Sequence, residues 1–287
     1  MDKKLNIVPL KDLNLTDRFL FDEVMEDKQT HRDVLEIIFQ REIPLLEENG
    51  TEKELRVSPL SRSIRMDVFA VDEEDKVYNT EMQQKKRNDL AKRSRYYQSM
   101  IDTSLLEPGI PNYNLLKDSY IIMITPFDLF GYGRYQYTFE TVCREEPGCI
   151  LEDGAVRIFL NTRGTNPEEV SKELVDLLHY LEHTTDEEAE KTDSQRIRRI
   201  HSHVCKVKSS EEIGVKYMQA WEEKYYEREE GREEGIKEGL ERGRKVQLMG
   251  QIEKKLAKNQ SPEEISEALE EPVEVILKLT AEIGNEI

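Results

Sequence analysis

The stretch 64-IRMDVFAVDEEDKVYNTEMQ-83 decides how this chain is read. Residues 64–71 are short and rich in β-formers, and the acidic run DEED follows them. Residues 77–83 resume the strand pattern, so the stretch predicts a β-hairpin. Side chains alternate across a strand, which puts Asn79, Glu81 and Gln83 on one face and Tyr78, Thr80 and Met82 on the other. Thirteen residues separate Asp67 from Glu81, enough for the rest of one strand, a turn and most of the return strand. Paired strands would bring both carboxylates to one point. Two carboxylates side by side repel unless a cation joins them. A hard cation such as Mg²⁺ is held by one or two carboxylates plus waters and substrate phosphates. It can acidify a bound water and neutralise charge on a phosphodiester. Gln83 stands where a third polar group would position a water or a phosphate oxygen, although it is neutral. On spacing alone, a solvated acidic hairpin accounts for the same residues.

Charge and periodicity organise the flanks. Residues 84–98, QKKRNDLAKRSRYYQ, carry Lys85, Lys86, Arg87, Lys92, Arg93 and Arg95 against the single acid Asp89, a local charge of +5. Leu90, Tyr97, Ile101 and Leu105 fall at helical spacing, so 84–105 reads as a basic helix leaving the second strand. Such a helix can track a phosphate backbone. A solvated face paired with the acidic remainder is the simpler alternative. Tyr96 and Tyr97 cannot share a helix face, so one belongs to the core. Upstream, 16–39 reads as helix, with a cap at Thr30 and an end at Pro44, and 50–62 as loop or irregular strand. Downstream, 119-SYIIMIT-125 suits a strand buried on both faces. Residues 135–139 and 155–160 are further strands, and 165–181 is a helix with Pro167 at its start. The order of elements indicates an α/β or α+β class.

Composition sets the limits. The chain has 287 residues, with 42 Lys+Arg against 60 Asp+Glu and a formal charge of −18. Its 37% hydrophobic and 36% charged residues compare with globular averages of about 45–50% and about 25%. Part of the chain is therefore solvated helix or tail. No apolar run approaches the ~20 residues that span a bilayer, and the N-terminal residues lack the apolar core of a secretory signal. Three cysteines, Cys143, Cys149 and Cys205, with no CxxC pair, predict neither a disulfide framework nor a zinc site. The expectation is a reduced, cytoplasmic protein with no membrane partner. His201, His203 and Cys205 in RRIHSHVCK alternate as metal ligands on a strand would, but no second ligand cluster accompanies them. Trp221 reads as a packing anchor. The acidic balance argues against non-specific nucleic-acid binding by the whole molecule. The basic charge is clustered instead, in 84–98 and in 195–208, where five basic residues stand with no acid. A Gly-rich phosphate loop, a Ser nucleophile elbow and a dinucleotide fingerprint are all missing from the sequence.

The last third differs. From about residue 211 the chain is helical and charge-rich, and Gly231, Gly235, Gly239 and Gly243 form one slowly drifting stripe. Each costs about 1 kcal/mol relative to Ala in a helix. Close helix approach and a fraying charged linker both account for them. Residues 261-SPEEISEALEEPVEVILKL-279 read as two short helices joined at Glu271-Pro272. They suit a helix-turn-helix unit or an oligomerisation module. Two domains are expected, 1–210 and a helical extension 211–287 that pairs subunits into a homodimer or larger homo-oligomer.

A resemblance sharpens this reading. The segments RMDVFAVDEEDKVYNTEMQ (65–83), KRSRYYQSMID (92–102), YIIMITPFDLFG (120–131) and DGAVRIFLNTRG (153–164) together resemble the PD-(D/E)XK nuclease superfamily. Its signature is an Asp on one strand and (Asp/Glu)-x-Lys on the next. More narrowly they resemble the bacterial Rpn-type recombination-promoting nucleases, also grouped as PD-(D/E)XK family transposases. The Gly-periodic helix and the SPEEI-type helical pair are similar too. The resemblance implies a restriction-endonuclease-like mixed sheet flanked by helices. It also implies a metal-dependent DNA endonuclease tied to DNA recombination, mobile-element or phage biology. The expected cofactor is Mg²⁺, with Mn²⁺ or Ca²⁺ as alternatives, and the expected partner is DNA. Asp67 and Glu81 match the metal-holding acids. Gln83 replaces the lysine, offering dipoles where a lysine offers charge. An added acid from the first helix would be Asp17 or Glu23, Arg93, Tyr97 and Gln98 would approach the same site, and Gln98 would join Lys85, Lys86, Arg87, Lys92, Arg93 and Arg95 in contacting DNA. The rival readings are a catalytically inactive nuclease fold that binds DNA or a protein, and a regulatory protein acting through its C-terminal helices. A strand-transfer transposase ranks below simple cleavage.

Overall fold

Asp72 closes the hairpin. Its Oδ1 accepts hydrogen bonds from the amides of Glu74 (3.0 Å) and Lys76 (2.9 Å), and its Oδ2 from the Tyr78 hydroxyl (2.8 Å). This is the carboxylate-to-backbone bonding that makes Asp a turn residue. In this computed structural model, which describes residues 7–44, 50–55, 64–106, 109 and 111–285, six strands form one mixed sheet. The strands are β1 (Gly50–Leu55), β2 (Ile64–Val71), β3 (Val77–Met82), β4 (Ser119–Thr125), β5 (Gln136–Phe139) and β6 (Ala155–Asn161), in the order β1-β2-β3-β4-β6-β5. The β1–β2, β2–β3 and β5–β6 pairs are antiparallel, while β3–β4 and β4–β6 are parallel. The near-continuous apolar run of β4 is explained by its central place, paired on both sides and covered on both faces.

Helices cover the two faces. Val68, Ala70, Tyr78, Ile122 and Ile158 share one core with α1 (Arg18–Met25), α2 (Lys28–Phe39), α4 (Lys172–Glu182) and α6 (Gln195–Ser209). The opposite face, through Phe69, Val77, Ile121 and Met123, packs on α3 (Leu90–Leu105) through Leu90, Tyr97 and Ile101. The short α5 (Asp186–Lys191) links α4 to α6. This is the mixed α/β core expected of the restriction-endonuclease-like class. Tyr97 is the core member of the Tyr96–Tyr97 pair, with 6% of its surface exposed.

Several boundaries differ from the sequence reading. The stretch 16–39 is two helices, because Asp27 interrupts it and caps α2; its Oδ2 accepts from the Thr30 amide and hydroxyl, both at 2.8 Å. Thr30 therefore lies inside α2, and the helix ends at Phe39, where Gln40 turns left-handed (φ 54°), before Pro44 is reached. Residues 84–89 are not helical, and α3 begins only after Asp89. Pro167 starts a single 3₁₀ turn, whereas α4 begins after Ser171, whose Oγ caps the Leu174 amide at 3.1 Å. Of the stretch 50–62, read as loop or irregular strand, residues 50–55 form β1 and 56–62 lie outside the described residues.

The chain divides into two compact units, Met1–Tyr217 and Met218–Ile287. The 46-residue α7 (Glu211–Leu256) runs from the first into the second. In the second unit, α8 (Pro262–Leu269) and α9 (Val273–Asn285) pack on the end of α7 through Ile252, Ile265, Ile276 and Leu279. A capping box between Ser261 and Glu264 starts α8. Trp221 stacks on Tyr225 at 5.3 Å. A Cβ added at Gly231, Gly235, Gly239 or Gly243 would meet nothing within 4 Å, so among the described residues no element packs closely on that stripe. No helix among the described residues is long and apolar enough to cross a membrane.

Candidate active site

Extending the β2–β3 register by one residue beyond Val68↔Thr80 puts Asp67 opposite Glu81. At that point side chains take over from the ladder. The Asp67 amide donates to Glu81 Oε1 at 3.0 Å, and the Met82 amide donates to Asp67 Oδ2 at 3.2 Å. Each carboxylate thus grips the other residue's strand, which holds the two together. Both lie on the α3 side of the sheet and are nearly inaccessible, Asp67 at 1% and Glu81 at 2%. Burial pushes the Glu81 carboxyl up to about 8, and the Asp67 charge pushes the same way; the Asp67 amide, Arg93 and Asn79 oppose them.

Two guanidinium groups compensate this charge. Arg18 of α1 bridges Asp67 Oδ1 through Nη2 and Asp22 Oδ2 through Nε at 3.5 Å. Arg93 of α3 donates through Nη2 to Glu81 Oε2 at 3.2 Å and through Nη1 to Gln83 Oε1 at 2.8 Å. Its Nε meets the Tyr97 hydroxyl at 2.8 Å, with the cation 4.9 Å from that ring. Burial, and then the Glu81 charge, raises the Tyr97 hydroxyl above its ordinary value, so it stays protonated. Gln83 was expected to face a water or a phosphate. Both ends of its amide are instead engaged, Oε1 with Arg93 and Nε2 with the Lys85 carbonyl at 3.0 Å.

The oxygen set fits a hard divalent cation. Asp67 and Glu81 supply carboxylates, and Asn79 adds a buried Oδ1 that has no hydrogen-bond partner among the described residues. Oxygen donors of this kind, completed by waters, are what Mg²⁺ takes.

The other site candidates divide. Glu23 pairs with Lys216 at 2.7 Å, and Asp17 caps α1 by accepting from the Phe19 amide at 3.0 Å. Among the described residues no contact ties either carboxylate to Asp67 or Glu81. The first-helix acid tied to the site is Asp22, joined to Asp67 through a single guanidinium. Only the i,i+4 spacing of Arg18 and Asp22 hinted at it. Gln98 is a correction: it is 6% exposed and donates through Nε2 to Ser119 Oγ, so it cannot meet DNA. Lys85, Lys86, Arg87, Lys92 and Arg95 are exposed. Arg87 is shared with Asp89 at 2.9 Å.

A loop after β4 borders this basic segment, and Lys86 Nζ donates to the Asp128 carbonyl at 3.3 Å. Asp128 organises the loop by accepting from the amides of Phe130 (2.9 Å), Gly131 (2.9 Å) and Gly133 (2.6 Å) and from the Tyr137 hydroxyl (2.8 Å). Burial acts to raise its carboxyl, but these donors hold it below the ordinary value. Gly131 (φ 84°) and Gly133 (φ 69°) take backbone conformations that favour glycine. The D-x-x-G-x-G spacing was the available sign of this device.

A model of the PD-(D/E)XK nuclease family transposases matches residues 13–231, more than half of the chain. No curated protein and no solved structure matches.

Proposed function

The chain belongs to the PD-(D/E)XK nuclease family of transposases, and on that premise we propose that it is a divalent-metal-dependent DNA endonuclease hydrolysing phosphodiester bonds. The observation that carries this reading is the buried Asp67–Glu81 pair, held opposite one another beside the Arg93 guanidinium. Asp67 and Glu81, with Asn79, would hold Mg²⁺ or a similar ion. When bound, the ion would neutralise phosphate charge and acidify the attacking water. Arg93 would take the role of the missing lysine, since a guanidinium forks onto phosphate oxygens and keeps its charge. Gln83 would position Arg93 rather than water. Lys85, Lys86, Lys92 and Arg95 would hold the DNA backbone, which fixes register without reading sequence. Cleavage would leave 5′-phosphate and 3′-hydroxyl ends. The word transposase in the family's description supports a part in DNA recombination or mobile-element biology, and the expected location is the cytoplasm.

One observation favours a second reading, a nuclease fold that only binds DNA. Arg18 and Arg93 already stand against both carboxyl groups without a metal. The test is cleavage of supercoiled plasmid with Mg²⁺, with EDTA, and with Asp67→Ala and Glu81→Ala. Loss of cutting in EDTA and in both variants supports hydrolysis at this pair. Variants that cut as well as wild type reject it, and DNA binding without cutting favours the second reading.

The unit Met218–Ile287 is proposed to pair subunits. Ile236 and Leu240, 52% and 71% exposed, stand one turn apart on α7. Light scattering of Ile236→Glu/Leu240→Glu should show a smaller species than wild type.

A further inference from the structure

Outside the hairpin, three side chains of different chemistry converge where α5 meets α6. His201 Nε2 lies 3.1 Å from Asp186 Oδ1 and 3.5 Å from Cys205 Sγ. One ligand atom from each of the three lies within 4.8 Å of the others. His201 and Cys205 are four apart on α6, hence on one face, and Asp186 is the first residue of α5. The alternation of His201, His203 and Cys205 suggested a strand. The helix replaces His203 with Asp186 as the third group, because residues two apart on a helix diverge.

We infer that Asp186, His201 and Cys205 form a binding site for a zinc-class transition metal, distinct from the oxygen site at Asp67 and Glu81. The geometry suits that class. With bonds of about 2.0–2.1 Å to nitrogen or oxygen and about 2.3 Å to sulfur, a tetrahedral ion separates N from O by about 3.4 Å and N from S by about 3.6 Å. The observed 3.1 and 3.5 Å need only small adjustments. A thiolate and an imidazole favour Zn²⁺ over Mg²⁺ or Ca²⁺. The other ring nitrogen is also held: His201 Nδ1 lies 2.8 Å from the hydroxyl of Tyr180, which is 1% exposed. A Tyr oxygen accepting a hydrogen bond from Nδ1–H leaves the Nε2 lone pair for metal, the part a carboxylate, carbonyl or water usually plays beside a ligating histidine. Two cavities, of about 380 and 410 Å³, are both lined by these three residues, so an ion has a path in. Three protein ligands leave a fourth position for water or another donor.

The same residues do not make a Cys-His-Asp nucleophile. In that arrangement the acid orients one ring nitrogen and the thiol meets the other, whereas here both face Nε2. Lys208, one turn beyond Asp186's partners on α6, is turned to the Thr184 carbonyl at 3.1 Å.

Cobalt titration of the full chain under reducing conditions tests the site. Bound Co²⁺ should give a near-ultraviolet thiolate-to-cobalt absorption saturating at one equivalent, and Zn²⁺ should abolish it. Cys205→Ser should remove the band, while Cys143→Ser/Cys149→Ser, His203→Ala and Asp67→Ala should keep it. Asp186→Asn and Tyr180→Phe should weaken binding about ten-fold or more. Cys205 and Asp186 are exposed, so their variants should keep the wild-type circular dichroism spectrum. Absence of a thiolate band, or its survival in Cys205→Ser, overturns the inference. Cobalt binding that disappears with Asp67→Ala and shows no sulfur band reports only the hairpin and overturns it too.

Discussion

Arg93 Nη1 donates to Gln83 Oε1 at 2.8 Å, so the glutamine that occupies the motif's lysine position holds a cation from the next helix. The same guanidinium reaches Glu81. On the proposed reading the positive charge of the motif comes from this guanidinium. If the proposed hydrolysis uses that charge, Arg93→Ala should lower the cleavage rate about 10²–10³-fold, the loss typical of one donor aimed at developing charge. Gln83→Ala should lower it less, since Glu81 and Tyr97 still hold the guanidinium. Gln83→Lys placed in Arg93→Ala should recover part of the rate. Single-turnover cleavage of a labelled duplex measures all three, and an unimpaired Arg93→Ala would remove Arg93 from the mechanism.

The buried acid pair makes stability depend on pH. The Glu81 carboxyl is pushed from an ordinary 4.5 up to about 8. Between those values the unfolded chain has released a proton that the folded protein keeps. This group's contribution therefore falls as pH rises through the window and is fully favourable only below it. The slope approaches about 1.4 kcal/mol per pH unit. Fully buried His31, held by desolvation well below an imidazole's ordinary 6.5, gains stability as pH rises and offsets Glu81 up to that pH, so in EDTA the Tm should fall over pH 6.5 to 8. Glu81→Gln should flatten that fall, and Mg²⁺ should reduce it by binding the ionised pair. A Tm that is level or rises over the interval in wild type would contradict the assignment.

Asp72 sets the turn that brings the acids into register. Asp72→Ala removes two bonds to turn amides and leaves the Tyr78 hydroxyl without its acceptor. Bonds to a charged group contribute roughly 1.5–3 kcal/mol each at most, so a net destabilisation of about 3 kcal/mol is expected. Urea unfolding measures it. Asp72→Asn, which keeps an acceptor oxygen, should cost about half as much.

A buried carboxylate far from the site gives a test of packing alone. Asp33 is fully buried and bonded by Arg199 at 2.6 and 2.9 Å. Gln29 Nε2 adds a third bond at 3.0 Å. Arg199→Ala strands the carboxylate with one neutral partner and should cost about 3 kcal/mol in chemical unfolding. Metal binding should be unchanged.

DNA affinity should be salt-dependent despite the net charge of −18. Each phosphate contact removed should lower the slope of log K against log salt by about 0.9. Lys85→Ala and Lys92→Ala should each do so in a fluorescence titration with a duplex. Gln98→Ala should leave the slope alone and lower stability instead, because that side chain is buried against Ser119. A wild-type affinity independent of salt would reject the basic segment as a DNA surface.

What the sequence determined by itself is what backbone periodicity carries. Alternation in β3 put Asn79, Glu81 and Gln83 on one face, and a nearly unbroken apolar run marked β4 as buried on both sides. These follow from two-residue strand geometry, which needs no knowledge of the rest of the chain. The register that sets Asp67 beside Glu81 came instead from the strand pairing. Helix starts were less legible, because Asp27 and Ser171 act through side-chain bonds to backbone amides that compete with a simple apolar pattern. Partnership between distant side chains was decided only by tertiary structure. Arg18 reaches Asp67 across 49 positions, and Gln98 is withdrawn from solvent by Ser119. Asp186 joins His201 and Cys205 only because α5 folds back on α6. Each depends on how helices pack on the sheet, and that depends on the whole core at once rather than on any local spacing.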